Sequence, residues 1–332
     1  MTIINHQLHG KRTLVTGATG FIGGRLAQRL AAEEGAIVTG TGRSLEKVPF
    51  LKETAVTLQK VDLLDETGMR QAMTDQDIVF HVAAWLGREG GDERAYAINV
   101  TATEMIVKLA KELGVGRIVL VSSIASYGWP QRNDIDETHP LDTEQWETYG
   151  RTKAIGEING LKLAKELGVE LTVVRPGMVY GPRSDGWSVG MLKLVQKGTP
   201  VIFGDGLGHT YPIFIDNLID GLLLTAVHPK AEGEAFNMCE PAITFNQFFG
   251  HYGDMCKKNP RRLPYWAASS LVVINKLFNL KLPINRDRLK RYKLKVEYPA
   301  TKAESLLGYQ IRTSIPDGMA KTEAWFKDVG ML

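Results

Sequence analysis

Between about residue 12 and residue 171, short apolar runs rich in β-branched residues alternate with longer stretches whose apolar positions recur every three or four residues. The runs at 13–16, 37–41, 56–61, 78–82, 118–122 and 171–175 have the length and composition of strands, and the stretches at 21–34, 66–73, 94–113 and 149–167 have helical spacing. This alternation predicts an α/β fold, a doubly wound parallel sheet with helices on both faces. Runs such as Ile118-Val119-Leu120-Val121 are apolar without interruption, as strands buried on both sides should be.

After Pro176 the alternation fails. Gly and Pro clusters at Gly181-Pro182, Gly198-Thr199-Pro200 and Gly204-Asp205-Gly206 separate shorter elements, with helices predicted at 189–197, 217–227, 245–255 and 316–326. The expected division is a dinucleotide-binding half, 1–175, to which later segments add strand and helix, and a smaller C-terminal part, 176–332, that is mainly a substrate-binding cap.

Composition narrows the function classes. With 44% hydrophobic and 23% charged residues the 332-residue chain has the ordinary globular mixture, which excludes disordered and fibrous classes. Forty Lys and Arg against 37 Asp and Glu leave a charge of +3, read as dispersed, so no nucleic-acid partner is expected. Cys239 and Cys256 are too few and too far apart for a disulfide framework or a paired-cysteine zinc site, and the histidines have no metal-ligand spacing, so no metal is expected. The polar residues 1–12 lack the apolar core of a secretory signal, and a cytoplasmic location is expected. The apolar stretch 265–274 is shorter than the ~20 residues that cross a bilayer, so stable membrane insertion is not expected. The wider segment 264–283 and the basic run Arg286, Arg288, Lys290, Arg291, Lys293 and Lys295 allow two readings. They form a solvated basic face on an ordinary cap helix, or a cap that rests transiently on an anionic membrane surface.

Candidate chemistry begins at Thr16-Gly17-Ala18-Thr19-Gly20-Phe21-Ile22-Gly23, which closes the first strand and opens the first helix. Gly17, Gly20 and Gly23 are spaced for a tight turn, close approach of backbone to a pyrophosphate, and helix packing on the strand, with free amides at the helix start. The strand before and helix after it favour that Rossmann reading over a mere tight turn. An acidic residue ~20 positions on would bind an adenosine ribose, but the second strand ends Thr41-Gly42-Arg43, with no carboxylate. Arg43 offers a charged donor fork for a 2′-phosphate, so NADP(H) is favoured while NAD(H) stays open. Asp62, before Leu63 at the end of the third strand, either accepts from the adenine amino group or caps the following helix.

Tyr149 and Lys153 stand four apart at a helix start, on one face, where a nearby ammonium would lower the phenol pKa from ~10. Ser122-Ser123 ends the fifth strand, where open α/β sheets place ligand chemistry. Ser122 reads as a packed strand-end residue. His81, at the end of an apolar strand, reads as a satisfied structural histidine rather than a base.

The turn Gly17 to Gly23, the run His81-Val82-Ala83-Ala84, Asn99-Val100, Ser122-Ser123 with Tyr127-Gly128, Tyr149 with Lys153, and Arg175-Pro176-Gly177-Met178-Val179-Tyr180-Gly181-Pro182 together resemble the extended short-chain dehydrogenase/reductase family, in family order over most of the chain. The resemblance implies that Tyr149 is the general acid or base, that Lys153 binds the nicotinamide ribose and tunes Tyr149, and that Ser123 orients the reacting C–O group. Asn99 would lie beneath them in a proton relay. Thr19, Phe21, Ile22, Leu63, Ala83, Ala84, Pro176 and Val179 would contact the cofactor, and Trp85, Gly177 and Trp187 the substrate. A homodimer through the helices at 99–113 and 149–167 is implied as well. Tyr127 has a competing reading as a buried aromatic. Ala102, where the family often has glycine, is a small departure.

Fold cannot choose among family branches. Where sugar-nucleotide members commonly carry an arginine, this chain has His209-Thr210, and Pro176 follows Arg175 where many carry Phe-Asn. An apolar cap with few fixed cations suits an apolar ketone or alcohol, although its aromatics also suit the cap's own core. The expected function is an NAD(P)-dependent oxidoreductase of the hydroxysteroid dehydrogenase and dihydroflavonol reductase type, acting on a small molecule. The alternatives are a sugar-nucleotide epimerase or dehydratase with bound NAD, and a nucleotide-sensing regulator without catalysis, against which the intact Ser123, Tyr149 and Lys153 set argues.

Overall fold

The computed structural model describes residues 6–87, 90–130, 133–278 and 286–332. Six strands, β1 (Arg12–Thr16), β2 (Ile37–Gly42), β3 (Val56–Lys60), β4 (Ile78–His81), β5 (Arg117–Val121) and β6 (Leu171–Pro176), are joined by a seventh, Ala235–Met238, in one parallel sheet of order β3-β2-β1-β4-β5-β6-seventh strand. Strands are added outward from β1 in one direction and then from β4 in the other, so a crevice opens between their carboxyl ends.

The helices are α1 (Phe21–Ala32), α2 (Glu66–Met73), α3 (Gly91–Tyr96), α4 (Ala102–Leu113), α5 (Thr148–Leu167), α6 (Met191–Gln196), α7 (Ile215–Val227), α8 (Phe245–Cys256), α9 (Tyr265–Phe278), α10 (Arg286–Arg291), α11 (Thr301–Leu307) and α12 (Ile315–Asp328). Strand residues alternate between two cores because successive side chains point to opposite faces. Leu14, Val79, Ile118, Leu120, Leu171 and Val173 pack under α2, α4 and α5. Val15, Phe80, Val119, Val121 and Val174 face α1 and α7. The later half thus returns to the sheet: α7 covers one face, and Ala235–Met238, which the sequence pattern does not mark as a strand, forms its edge.

The helix expected at 94–113 is interrupted. A π-helical turn, Ala97–Thr101, separates α3 from α4. Apolar spacing does not register a single widened turn. The turn lies against α5, where a side chain at Gly156 would collide with the Asn99 carbonyl. The helix expected at 189–197 is likewise shortened to α6 by a π-helical turn, Asp185–Gly190.

A buried polar network locks α5 to the sheet. Arg175, on β6, donates to Glu157 of α5 through Nε at 2.8 Å and through Nη2, and its Nη1 donates to the Tyr127 hydroxyl at 2.5 Å. Tyr127 donates to Asn237 Oδ1 at 2.8 Å, and Asn237 Nδ2 donates to the Ile135 carbonyl at 2.9 Å. The guanidinium also lies 4.9 Å from the Tyr127 ring centroid. Tyr127 is therefore buried structure, its competing reading.

Removing one partner of a buried ion pair leaves the other charge uncompensated, which costs about 3–5 kcal/mol. Glu157→Leu is expected to lose that much in urea unfolding, and Tyr127→Phe about 1–3 kcal/mol. A Glu157→Leu protein within about 1 kcal/mol of wild type would contradict the network's importance.

Candidate active site

β1 delivers the chain to Gly17, whose φ of +69° is open to glycine. A Cβ there would also stand 2.9 Å from the Ala83 Cα, so the turn after β1 presses on the segment after β4. Gly20 then caps α1 without a side chain, and the helix has no acid in its first turn. The first-turn amides, at Phe21, Ile22 and Gly23, have no partner within the helix and stand at its positive end. A bare turn and uncapped amides fit a pyrophosphate, the group expected there from the glycine spacing.

At the end of β2, a side chain on Gly42 would collide with Thr19. No carboxylate fits at that point without displacing Thr19. Arg43 follows, exposed, and among the described residues it makes no hydrogen bond or ion pair. Asp62 accepts from the Leu64 amide at 3.0 Å and pairs with half-exposed Arg94 at 3.4 Å. It does not cap the next helix. Asp65 does, accepting from Gly68 at 3.1 Å, because α2 begins at Glu66.

β5 carries the chain to Ser122 and Ser123. Ser122 is buried against the Ser126 hydroxyl at 3.2 Å, as a strand-end packing residue should be. Ser123 accepts from the Ala125 amide at 3.1 Å and so starts the 3₁₀ turn Ile124–Tyr127. Its hydroxyl lies beside the half-buried Tyr149 phenol and favours the ionised form of that group. Four residues along α5, buried Lys153 donates to the Val121 carbonyl at 2.6 Å. Ser123, Tyr149 and Lys153 thus converge at the carboxyl end of β5.

One expectation about their electrostatics is corrected. Burial raises the Tyr149 pKa, opposed by the Ser123 hydroxyl, while the Lys153 ammonium is turned to the Val121 carbonyl. Burial lowers Lys153 to about 8, against the attraction of Glu157.

Asn99 sits below this set as a positioning group. Its Oδ1 accepts from the Trp85 amide at 2.9 Å, and its Nδ2 donates at 2.9 Å to Thr152, whose hydroxyl donates to the Thr148 carbonyl at 2.8 Å. Trp85 is thereby fixed through its backbone.

His81 completes a chain that the sequence only half anticipates. Thr16 Oγ1 accepts from the Val82 and Ala83 amides, both at 3.1 Å, and donates to His81 Nδ1 at 3.0 Å. His81 Nε2 then donates to Thr103 at 3.2 Å, and Thr103 donates to the Asn99 carbonyl at 3.0 Å. The ring is fully buried and neutral, its pKa lowered to about 3 by burial and by Lys153. It is a structural histidine.

The remaining assigned positions scatter over this frame. Ala83 and Ala84 are half-buried, Ala83 against the glycine turn, and Leu63 packs at the border of the α2 core. Pro176 ends β6, and Gly177 lies against the Tyr211 carbonyl and the Cys239 sulfur. Val179 is buried in the short strand Met178–Tyr180, paired with Pro212–Phe214. Trp187 is partly buried, packs against the main core, and its carbonyl accepts from Tyr252. Thr16, Thr103, Thr152 and Gly156 are not among the residues expected from the sequence. Only Thr16, immediately before the first glycine, carries a sequence signal.

The cap also holds a cation that the reading of an apolar cap discounts. Half-buried Arg291 lies 5.0 Å from the Trp129 ring centroid and lowers the pKa values of Tyr211 and Tyr298 against the effect of burial. Tyr298 stacks on Tyr127, which ends the 3₁₀ turn begun at Ser123.

The family model described as NAD dependent epimerase/dehydratase family matches residues 13–239. The UDP-glucose 4-epimerase of Mycolicibacterium smegmatis is 27% identical, covering 96% of this chain and 99% of its own. The 2-alkyl-3-oxoalkanoate reductase of Shewanella oneidensis is 28% identical over 93% of this chain and 85% of its own. The fold matches that of a UDP-glucuronic acid 4-epimerase from Bacillus cereus, solved with UDP-glucuronic acid and NAD, at a TM-score of 0.78 with 23% identity over 96% of this chain and 99% of that one.

Two measurements test the site. Tyr149→Phe keeps the ring and removes the proton, so turnover should fall ~10²-fold or more while dinucleotide binding persists, and near-normal turnover would contradict the role. Nitrogen-15 NMR of the imidazoles should find His81 as the Nε2–H tautomer and neutral throughout the range above pH ~4, given a pKa lowered to about 3. Titration of that ring near ~6.5 would overturn the buried chain.

Proposed function

Because the chain belongs to the NAD-dependent epimerase/dehydratase family, we propose that it works on a carbon bearing a secondary alcohol or ketone, with Tyr149 as acid and base. The observation that carries this reading is the convergence of Ser123, Tyr149 and buried Lys153 at the carboxyl end of β5. When bound, a nicotinamide dinucleotide supplies the hydride acceptor or donor. The glycine turn and the first-turn amides of α1 would hold its pyrophosphate. Ser123 would hold the reacting oxygen by its hydroxyl. Tyr149, a phenol at neutral pH because burial raises its pKa, gives a proton to that oxygen during reduction and takes one during oxidation. The oxidative direction should therefore gain rate as pH rises.

The reading we put first is net oxidoreduction of a fairly apolar alcohol or ketone with an exchangeable NADP(H). The Gly42–Arg43 corner, with no carboxylate and an exposed guanidinium that makes no hydrogen bond or ion pair among the described residues, supports it. A sugar-nucleotide 4-epimerase with retained NAD is the second reading, and the relatives support it more directly. Arg291, half-buried beside Trp129 and Tyr211, supplies the sort of fixed cation a substrate diphosphate needs.

Mass analysis of the nucleotide released on denaturing the purified protein separates the two. Retained NAD, with turnover of UDP-sugars and none of bulky apolar ketones, would overturn the first reading. An empty or NADPH-binding protein that reduces apolar ketones would overturn the second. A charge-assisted contact worth ~1.5–3 kcal/mol corresponds to an about ten- to hundredfold preference for NADPH. Arg43→Ala should abolish that preference, and unchanged discrimination in titrations would leave Arg43 an ordinary surface charge.

A further inference from the structure

α9 is bound to the protein by a narrow side. Ala268 and Val272 are buried against Phe203, Leu263, Tyr265 and Leu289. On the opposite side Trp266 and Leu277 are each 74% exposed, Phe278 65% and Val273 52%, with Ile274 also exposed. At ~100° per residue these positions, with Ser270, fall within one arc of less than half the helix circumference. Scattered exposed apolar residues are normal on a protein surface, but a continuous stripe on one helix is not. The one hydroxyl in the stripe is satisfied within the helix, since Ser270 donates to the Trp266 carbonyl at 3.1 Å. The stripe therefore offers a nearly dry apolar face to whatever meets it.

The charge around the stripe identifies that partner. Residues 257–296 contain twelve of the chain's 40 Lys and Arg and only Asp287 of its 37 acids. The rest of the chain, with 28 basic and 36 acidic residues, is net acidic. The surplus expected to be dispersed is in fact concentrated here. Arg261 and Arg262 are exposed just before α9. Exposed Lys293 stands with its ammonium 3.6 Å from the ring centroid of Tyr265, in the first turn of α9. Lys295, two residues on, is exposed as well. Residues 279–283, the end of the apolar segment 264–283, lie outside the described residues together with 284 and 285.

An apolar stripe on a helix whose neighbouring chain segments carry exposed cations fits an anionic lipid surface: the stripe enters the headgroup boundary and the basic segments supply attraction to the phosphates. A second copy fits poorly. A two-fold contact through α9 would bring the same net-positive face against itself. We propose that α9, with its flanking basic residues, docks the protein reversibly on an anionic membrane surface. No helix among the described residues is long and apolar enough to cross a bilayer, so the contact is interfacial. The proposal is independent of which reaction the site performs.

Flotation of the full chain with vesicles tests it. The protein should bind vesicles of phosphatidylcholine mixed with phosphatidylglycerol at low salt. Binding to phosphatidylcholine alone should be at least about tenfold weaker, and high salt should weaken the anionic binding by a similar factor. The double variant Trp266→Ser, Leu277→Ser should lose about tenfold or more in vesicle binding, while its thermal unfolding and dinucleotide titration match wild type. Absence of binding to anionic vesicles at low salt, equal binding to both vesicle types, or a double variant that binds like wild type would each overturn the proposal. So would a wild-type dimer in sedimentation that the double variant dissolves, because the stripe would then be a contact between copies.

Discussion

One neutral imidazole holds the two halves of the candidate site in register. His81 ends β4 between two threonine hydroxyls, accepting from Thr16 on β1 and donating to Thr103 on α4. In water such hydrogen bonds contribute little net, but leaving a buried donor or acceptor without its partner costs its full desolvation. Burial keeps the ring uncharged, so both of its nitrogens are committed, one as acceptor and one as donor. Thr16 also accepts from the Val82 and Ala83 amides, and Thr103 donates a hydrogen bond to the Asn99 carbonyl. From this frame follow the approach of the glycine turn to Ala83 and the position of the π-helical turn on which α5 rests.

α5 divides its work between two faces. Thr152 and Gly156 lie against Asn99, one by a hydrogen bond and one by the absence of a side chain. Tyr149, Lys153 and Glu157, at four-residue intervals, form another row. Its first member meets Ser123, its second the end of β5, and its third Arg175 on β6. Lys153 is buried between the reacting end of this row and its structural end, and the Glu157 carboxylate partly offsets the burial that lowers its pKa. A residue pair that reads as catalytic in the sequence is therefore also held by a structural ion pair one helical turn further on.

The legible parts of the fold were those written in local periodicity. β1 to β6, α1, α2 and α5 agree with their apolar spacing to within a residue or two, because strands buried on both faces and helices buried on one leave continuous and three-to-four patterns respectively. The strand Ala235–Met238 and the π-helical turn Ala97–Thr101 were not legible. The strand is four residues long and takes its role from β6, and the turn meets its neighbour at Gly156, more than fifty residues away in the chain. In the site, Ser123, Tyr149 and Lys153 were legible by spacing and resemblance. The direction of the Tyr149 pKa was not, because it is set by burial, which depends on how the folded chain packs around the phenol. Trp187 was legible only as an aromatic in the cap, and packing alone decides whether such a ring faces a pocket or a core.

Amide hydrogen exchange in a Thr16→Val variant probes the His81-centred frame most directly. Valine keeps the shape of threonine and removes the hydroxyl that three groups share. If the chain from β1 to Asn99 is one unit, protection should fall together at Val82, Ala83 and Trp85, the last of these bonded to Asn99 and not to Thr16. Loss confined to Val82 and Ala83, with Trp85 exchanging as in the wild type, would contradict the account.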